Sequence, residues 1–113
     1  MTLYLAYLIK HEDSDEGLTE AHMFCEQLCR TRSQANRHIA FELIEIAMVC
    51  INKYDMNMPK CCKQYLRYDM NGYEIKKEYT YDPDVAMLLK KHFCVGETAD
   101  YIVSNHIVEI EVD

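Results

Sequence analysis

The stretch LTEAHMFCEQLCR, Leu18 to Arg30, decides the fold, because its secondary structure determines how the chain continues after the first apolar segment. When the residues are turned at about 100° each, the apolar side chains fall in one continuous arc and the polar ones lie opposite. The arc consists of Leu18, Ala21, Phe24, Cys25, Leu28 and Cys29. The pattern predicts an amphipathic core helix in which cysteine serves as a small hydrophobic residue.

A second helix is predicted from Ser33, a favourable N-cap, to about Tyr54. It is apolar nearly all round, which predicts contacts on two sides. Its polar residues form a narrow strip that includes His38, Glu42 and Glu45 at positions i, i+4 and i+7. Such a strip could hold a divalent ion, but a solvated helix face is the favoured interpretation.

Three further segments predict strands, and one of them predicts a hairpin of two strands. TLYLAYLI, Thr2 to Ile9, is apolar at almost every position and predicts a central strand covered on both faces. Asn71-Gly72 is the favoured pair for a type I′ turn and predicts a hairpin of Cys62 to Met70 with Tyr73 to Tyr81. HIVEIEVD at the end of the chain alternates as a half-buried strand does.

DPDVAMLLKKHF predicts a third helix, with Asp82 as N-cap and Pro83 at the first helical position. TADYIVSN is ambiguous between helix and strand. The predicted order is β-α-α-β-β-α-β, which is the split βαβ or ferredoxin-like arrangement. The expectation is a single α+β domain over residues 1–113, with a four-stranded antiparallel sheet and the helices on one face.

The 113 residues carry a net charge of −7, which argues against non-specific binding to nucleic acid. No apolar run is long enough to span a bilayer, and the N-terminus lacks a signal-peptide pattern. These features predict an intracellular protein in a reducing compartment, with the six cysteines as thiols. The cysteine pieces are Cys25-x3-Cys29, Cys61-Cys62 and His92-x-Cys94. None has the spacing of a zinc ribbon or finger, so no cofactor is predicted.

One constellation points to chemistry. If the first and last strands pair antiparallel, His11 comes close to His106, with Asp13 and Asp15 in the adjoining acidic loop. Two imidazoles could act as general acid and base, and the two carboxylates could bind a metal, as in a small phosphodiesterase. A solvated loop with two surface histidines is the alternative.

The tyrosine-rich hairpin offers a weaker case for nucleic-acid binding, because only Tyr65 and Arg67 are expected on its open side. The second face of the first strand, with Tyr4, Ala6 and Leu8, is apolar and needs a cover. A second copy, a protein partner or a ligand could provide it.

These observations favour a non-catalytic acidic protein that binds other proteins and regulates them. It is expected to form a homo-oligomer, most simply a dimer, and to meet a basic surface of its partner through Glu109 and Glu111. Tyr4, Leu8, Tyr65 and Arg67 complete the predicted binding residues. A viral or phage accessory protein that inhibits a host factor fits this description. The alternative is a small enzyme or binding domain for nucleotides or phosphodiesters that uses His11 and His106.

Overall fold

The computed structural model describes residues 1–13, 19–54, 57–93 and 102–113. They form a mixed α+β fold whose main sheet is antiparallel and has the strand order β2-β1-β5. Its strands are β1 (Thr2–Asp13), β2 (Thr19–Cys29) and β5 (Ile102–Glu111). A separate hairpin consists of β3 (Leu66–Asp69) and β4 (Gly72–Ile75). The helices are α1 (Arg32–Tyr54), α2 (Lys60–Lys63) and α3 (Pro83–Phe93), with a 3-10 turn at Lys77–Tyr79.

The prediction of an α+β fold is confirmed, but the four-stranded ferredoxin-like sheet is wrong in its details. The described strands form one sheet of three and one of two. The order β-β-α-α-β-β-α-β contains a strand where the first helix was expected. As predicted, β1 is the central strand, and its pairing with β5 runs from Thr2 opposite Glu111 to His11 opposite Ile102.

The predicted helix at Leu18 to Arg30 is the strand β2, and a β-bulge explains the error. Ala6 pairs with Gln27 and Leu8 with Phe24, so two residues of β2 oppose Tyr7. Cys25, the first of the two, has a φ of 56°. A bulge inserts one residue and shifts the alternation by one. Apolar residues of β2 also lie on both faces, Phe24 and Cys29 towards the helices and Ala21 and Leu28 on the opposite side. Together with the bulge, this arrangement imitates the three-to-four-residue spacing of a helix.

Helix α1 is the centre of the molecule, in agreement with the prediction of contacts on two sides. It contacts all three strands of the main sheet, and it also contacts α3 and β4. Its buried residues span about half of its circumference at about 100° per residue: Ala35, Ile39, Ala40, Leu43, Ile44, Ala47 and Ile51. The contacts with the sheet and with α3 therefore lie on adjacent parts of one wide buried face.

The hairpin is shorter than predicted and its register differs. Leu66 pairs with Ile75 and Tyr68 with Tyr73, so the two-residue turn is Met70-Asn71, one residue earlier than expected. Because the register shift is an even number of residues, Leu66, Tyr68, Tyr73 and Ile75 still share one face, as predicted. Cys62 and Tyr79, placed in the predicted strands, lie in α2 and the 3-10 turn.

The start of α3 follows the prediction from its sequence. The Asp82 carboxylate accepts hydrogen bonds from the backbone N–H groups of Asp84 at 2.9 Å and Val85 at 3.2 Å. These contacts satisfy two donors that a helix N-terminus leaves unpaired. Val85, Ala86, Leu89 and Phe93 form the buried side of α3. None of the helices in the described ranges has the length and apolar character required to cross a bilayer.

The two faces of the main sheet differ in what covers them. Ala6, Leu8 and Val103 are buried on the face that packs against the helices. Tyr4, Ala6 and Leu8 therefore belong to the core, and the suggestion that this face lacks a cover is wrong. The face that no described helix covers is the alternate one of β1, which carries the half-buried Leu3, Leu5, Tyr7 and Ile9.

Candidate functional site

The uncovered side of the main sheet is the most distinctive surface of the described structure, and we call it the open face. Its apolar residues come from all three strands, and cross-strand pairing places them side by side. They are Leu3, Leu5, Tyr7, Ile9, Met23, Leu28, Val108 and Ile110. Met23 is 51% exposed, Leu28 55% and Val108 43%. Apolar side chains this large and this exposed stay in contact with water unless another molecule covers them.

The extent of the open face can be worked out from sheet geometry. Three strands about 4.8 Å apart, with seven residues of about 3.3 Å each, give an apolar area of about 300 Å². Contiguous apolar patches of a few hundred Å² are at the size at which they mark interaction sites. A standard interface covers about 800 Å² per partner, so this patch would form its apolar centre and polar neighbours its rim.

A polar cluster interrupts the open face where β1 and β5 pair. The Ser104 hydroxyl lies 3.2 Å from Nε2 of His11 and 2.9 Å from Nε2 of His106. The His106 ring also stacks on Tyr7, with the centroids 5.2 Å apart. The predicted approach of His11 and His106 thus occurs, and a serine joins them.

The hydrogen-bond chemistry of this cluster makes its two imidazoles unequal. A hydroxyl has one proton, so Ser104 can donate to one imidazole nitrogen while it accepts from the other. One Nε2 then lacks a proton and accepts from Ser104, and the other carries an N–H that donates to it. Asp15 and the side chain of Asp13, the predicted metal ligands, lie outside the described part of the chain.

Sequence reasoning missed Ser104, although a signal for it was present. Ser104 lies two residues before His106, and residues two apart in a strand point to the same face. The sequence of Thr98 to Asn105 is ambiguous between helix and strand, so the two-residue alternation of a strand could not be used to place Ser104. Ile102 to Asn105 are in β5, and residues 98–101 lie outside the described ranges.

Two of the predicted binding residues are not available to a partner. Leu8 is completely buried, because it faces the helices. Tyr65 is half-buried against the core, where its ring meets that of Tyr79 edge-on with the centroids 4.8 Å apart. The hairpin was expected to leave Tyr65 on its open side. Strand β3 begins only at Leu66, so the alternation of its side chains does not extend back to residue 65.

The three charged residues among the predicted binding residues are exposed but already have intramolecular contacts. Glu109 forms an ion pair with Arg32, whose guanidinium also lies over the Tyr4 ring at 5.3 Å. Glu111 accepts a hydrogen bond from the Thr2 hydroxyl at 2.6 Å. Arg67 is 3.5 Å from Glu74 across the hairpin. Exposed pairs of this kind are weak and exchange readily, so they leave these charges available.

Polar residues of the strip on α1 form hydrogen bonds with the β2 bulge. His38 Nε2 donates a 2.7 Å hydrogen bond to the Cys25 carbonyl oxygen, and the Cys25 thiol donates to Glu42 at 3.2 Å. Because a carbonyl only accepts, Nε2 of His38 carries a proton. Burial, reinforced by the Glu42 carboxylate, raises the pKa of the Cys25 thiol from 9.0 to about 12. Two members of the strip, His38 and Glu42, therefore hydrogen-bond to the bulge, so the strip is more than the solvated helix face that the sequence favoured.

A cleft of about 780 Å³ lies between the end of β2 and α1 and is lined in part by Arg30, Arg37 and Phe41. The Arg37 guanidinium lies over the Tyr81 ring at 4.7 Å, and Phe41 stacks on the same ring at 5.6 Å. These internal contacts already use the Tyr81 ring. A planar ligand would have to displace one of them in order to stack there.

The cysteines of the described residues lie in different surroundings. Cys25 and Cys29 contribute to β2 as thiols with separate partners, Glu42 and the Gln27 carbonyl. Cys61 and Cys62 of α2, by contrast, lie together with His92 of α3. Burial raises the pKa of the Cys62 thiol to about 12. Cys94 lies outside the described residues.

The described residues form an α+β fold in which helices cover one side of the main sheet and no described helix covers the other. Comparison with protein-family models, with curated proteins and with solved structures finds no match to the chain.

Proposed function

We propose that the protein acts by binding another protein through the open face, as a regulator or inhibitor of that partner. The observation that supports this proposal is the apolar surface on the side of the main sheet that no described helix covers, interrupted by the polar cluster of His11, Ser104 and His106. Burial of up to about 300 Å² at about 25 cal/mol per Å² would contribute at most about 7.5 kcal/mol before the cost of association. That amount is enough to make the open face the energetic centre of an interface.

The net charge of the chain favours a basic partner over a second copy. Each molecule carries −7, so two copies repel, whereas a basic protein is attracted over a distance of about 10 Å at 0.1 M salt. The two cases differ in the sign of the salt effect. Added salt weakens binding to a basic partner and strengthens a homodimer, because it screens attraction in the first case and repulsion in the second.

The test uses a surface variant with a matched control. Leu28→Ser with Val108→Ser removes two exposed apolar side chains from the open face. Val49→Ser removes an exposed valine from α1, where Val49 is 63% exposed. The proteins serve as bait for extracts of the source cell, and sedimentation velocity measures their self-association. Both measurements are made at low and high salt.

We expect the unmodified protein and Val49→Ser to bind the same partner, with less bound at high salt, and the double variant to lose it. Equal capture by all three proteins would contradict the proposal. A dimer that strengthens with salt and is lost only in the double variant would replace the basic partner with a second copy.

A second candidate function rests on the hydrogen bonds of Ser104 to both His11 and His106. The two imidazole nitrogens contact one oxygen, so a phosphodiester held there could meet both. One imidazole would take the proton from an attacking water, and the other would give a proton to the leaving oxygen. This is the reaction of a small phosphodiesterase.

Hydrolysis of bis(p-nitrophenyl) phosphate and of cyclic nucleotides tests this candidate. We expect His11→Ala and His106→Ala each to abolish turnover, and His22→Ala, on the neighbouring strand β2, to retain it. Turnover that survives in both active-site variants, or none in the unmodified protein, would contradict it.

A further inference from the structure

We propose that Cys61, Cys62 and His92 bind a zinc ion at the junction of α2 and α3. The three candidate ligand atoms, two Sγ and the imidazole nitrogen, all lie within 4.8 Å of one another. The Cys61 and Cys62 sulfurs are 3.9 Å apart, and Cys61 Sγ is 3.5 Å from Nε2 of His92. This inference concerns α2 and α3 rather than the open face and does not depend on the proposed function.

These separations match those of a zinc coordination tetrahedron. Zn–S bonds of about 2.3 Å and Zn–N bonds of about 2.0 Å at tetrahedral angles place two sulfurs about 3.8 Å apart and a sulfur and a nitrogen about 3.5 Å apart. Two of the three edges are therefore already formed. The third, from Cys62 to His92, needs to shorten by no more than about 1.3 Å. His92 is only half-buried, so rotation of its ring can supply that movement.

The donor set selects the class of metal. Two thiolates and an imidazole favour a borderline-soft ion such as Zn²⁺ and exclude Mg²⁺ or Ca²⁺, which require oxygen ligands. Three protein ligands leave one coordination position. Since Cys61 is exposed, that position faces solvent and would hold water or an external ligand.

The surroundings balance the charges of the site. His92 lies in the last turn of α3, where unpaired carbonyl groups favour a cation. Lys60 and Lys63 of α2 flank the two cysteines in the sequence. Two thiolates neutralise the ion, so the lysines do not repel the complex.

The geometry is less suited to the two other uses of these thiols. A disulfide needs sulfurs about 2.05 Å apart, whereas those of Cys61 and Cys62 are 3.9 Å apart. The other use is as a Cys61–His92 nucleophile pair. It would give Cys62 no role, although the Cys62 sulfur lies 3.9 Å from that of Cys61.

Zinc binding is measured on the full chain, purified with reductant but without chelator and then titrated with ZnCl₂ against a chromophoric chelator. We expect one zinc per chain. Cys61→Ser and His92→Ala should each weaken zinc binding by about a hundredfold or more, because each removes a ligand. The matched controls Cys29→Ala and His22→Ala alter a thiol and an imidazole of β2 and should bind zinc as the unmodified protein does.

A second measurement on the unmodified chain does not depend on the folding of the variants. Peptide mapping after alkylation should show that zinc protects Cys61 and Cys62 and that EDTA restores their reactivity. Any of three results would overturn the proposal: no zinc at equimolar concentration, equal affinity in Cys61→Ser and the controls, or a Cys61–Cys62 disulfide in the fresh protein.

Discussion

The contact between Asn52 of α1 and the hairpin allows a quantitative prediction. The Asn52 side-chain amide donates to the Tyr73 carbonyl oxygen at 2.9 Å and accepts from the Tyr73 N–H at 2.8 Å. Gly72, the residue before, has a φ of +110°, and a Cβ built on it would lie 2.6 Å from Oδ1 of Asn52. Substitution Gly72→Ala would therefore both strain the backbone and displace the Asn52 amide.

The two effects differ in whether they depend on Asn52. An alanine at this φ costs about 2 kcal/mol. Loss of two hydrogen bonds costs about 2 kcal/mol more, at about 1 kcal/mol each. We expect Gly72→Ala to lower the free energy of unfolding by about 4 kcal/mol and Asn52→Ala to lower it by about 2 kcal/mol. The double variant should lose about 4 kcal/mol, since the bonds can be lost only once.

Urea unfolding followed by far-UV circular dichroism measures all four proteins of this cycle. Asn36→Ala, a substitution of an exposed asparagine elsewhere on α1, is the control and should change stability by less than about 0.5 kcal/mol. A double variant destabilised by the full sum of about 6 kcal/mol would show that Asn52 and Gly72 act independently, which would refute the reasoning.

Three further predictions concern single contacts. Asp82→Ala should cost about 1 kcal/mol in urea unfolding, because it removes the α3 cap, and a cost near zero would contradict the cap. Glu109→Ala should cost less than about 1 kcal/mol and nothing in 1 M salt, because its pair with Arg32 is exposed. The raised pKa of Cys25 means that the folded state keeps a proton that the unfolded state releases above pH 9. Its contribution is therefore lost as pH rises from 9 towards 12, and Cys25→Ser should reduce the fall in melting temperature over that range.

The elements that sequence reasoning predicted well are those whose local pattern and packing agree. β1 has no polar position from Leu3 to Ile9 and is central, and Asp82-Pro83 begins α3 at the expected residue. In these segments the capping and periodicity signals are local, so no distant contact overrides them.

Of the segments that it predicted wrongly, β2 depends on distant contacts and the hairpin turn on a local one. β2 contains the bulge at Cys25, which is held by His38 and Glu42 of α1, and no residue pattern within β2 reveals it. The hairpin turn begins at Met70 because Asp69 Oδ1 accepts from the Asn71 N–H at 2.8 Å, a local bond that the Asn-Gly rule does not consider.

The candidate sites divide in the same way. The proximity of His11 and His106 could be predicted from the sequence, because antiparallel pairing of the two strands fixes the distance between them. Cys61, Cys62 and His92 could not, because their proximity depends on how α2 packs against the end of α3. Sequence spacing between such pieces carries no information about tertiary contact.

The bulge in β2 also determines where this strand can change its length. Deletion of a residue between Thr19 and Phe24 would slide one side of the strand by a position and turn its core residues outward. Deletion of Glu26 would leave the segments on both sides paired as they are, because Ala6 and Leu8 already fix their registers independently. Related chains that differ by one residue in β2 should therefore show the gap at residues 25–26.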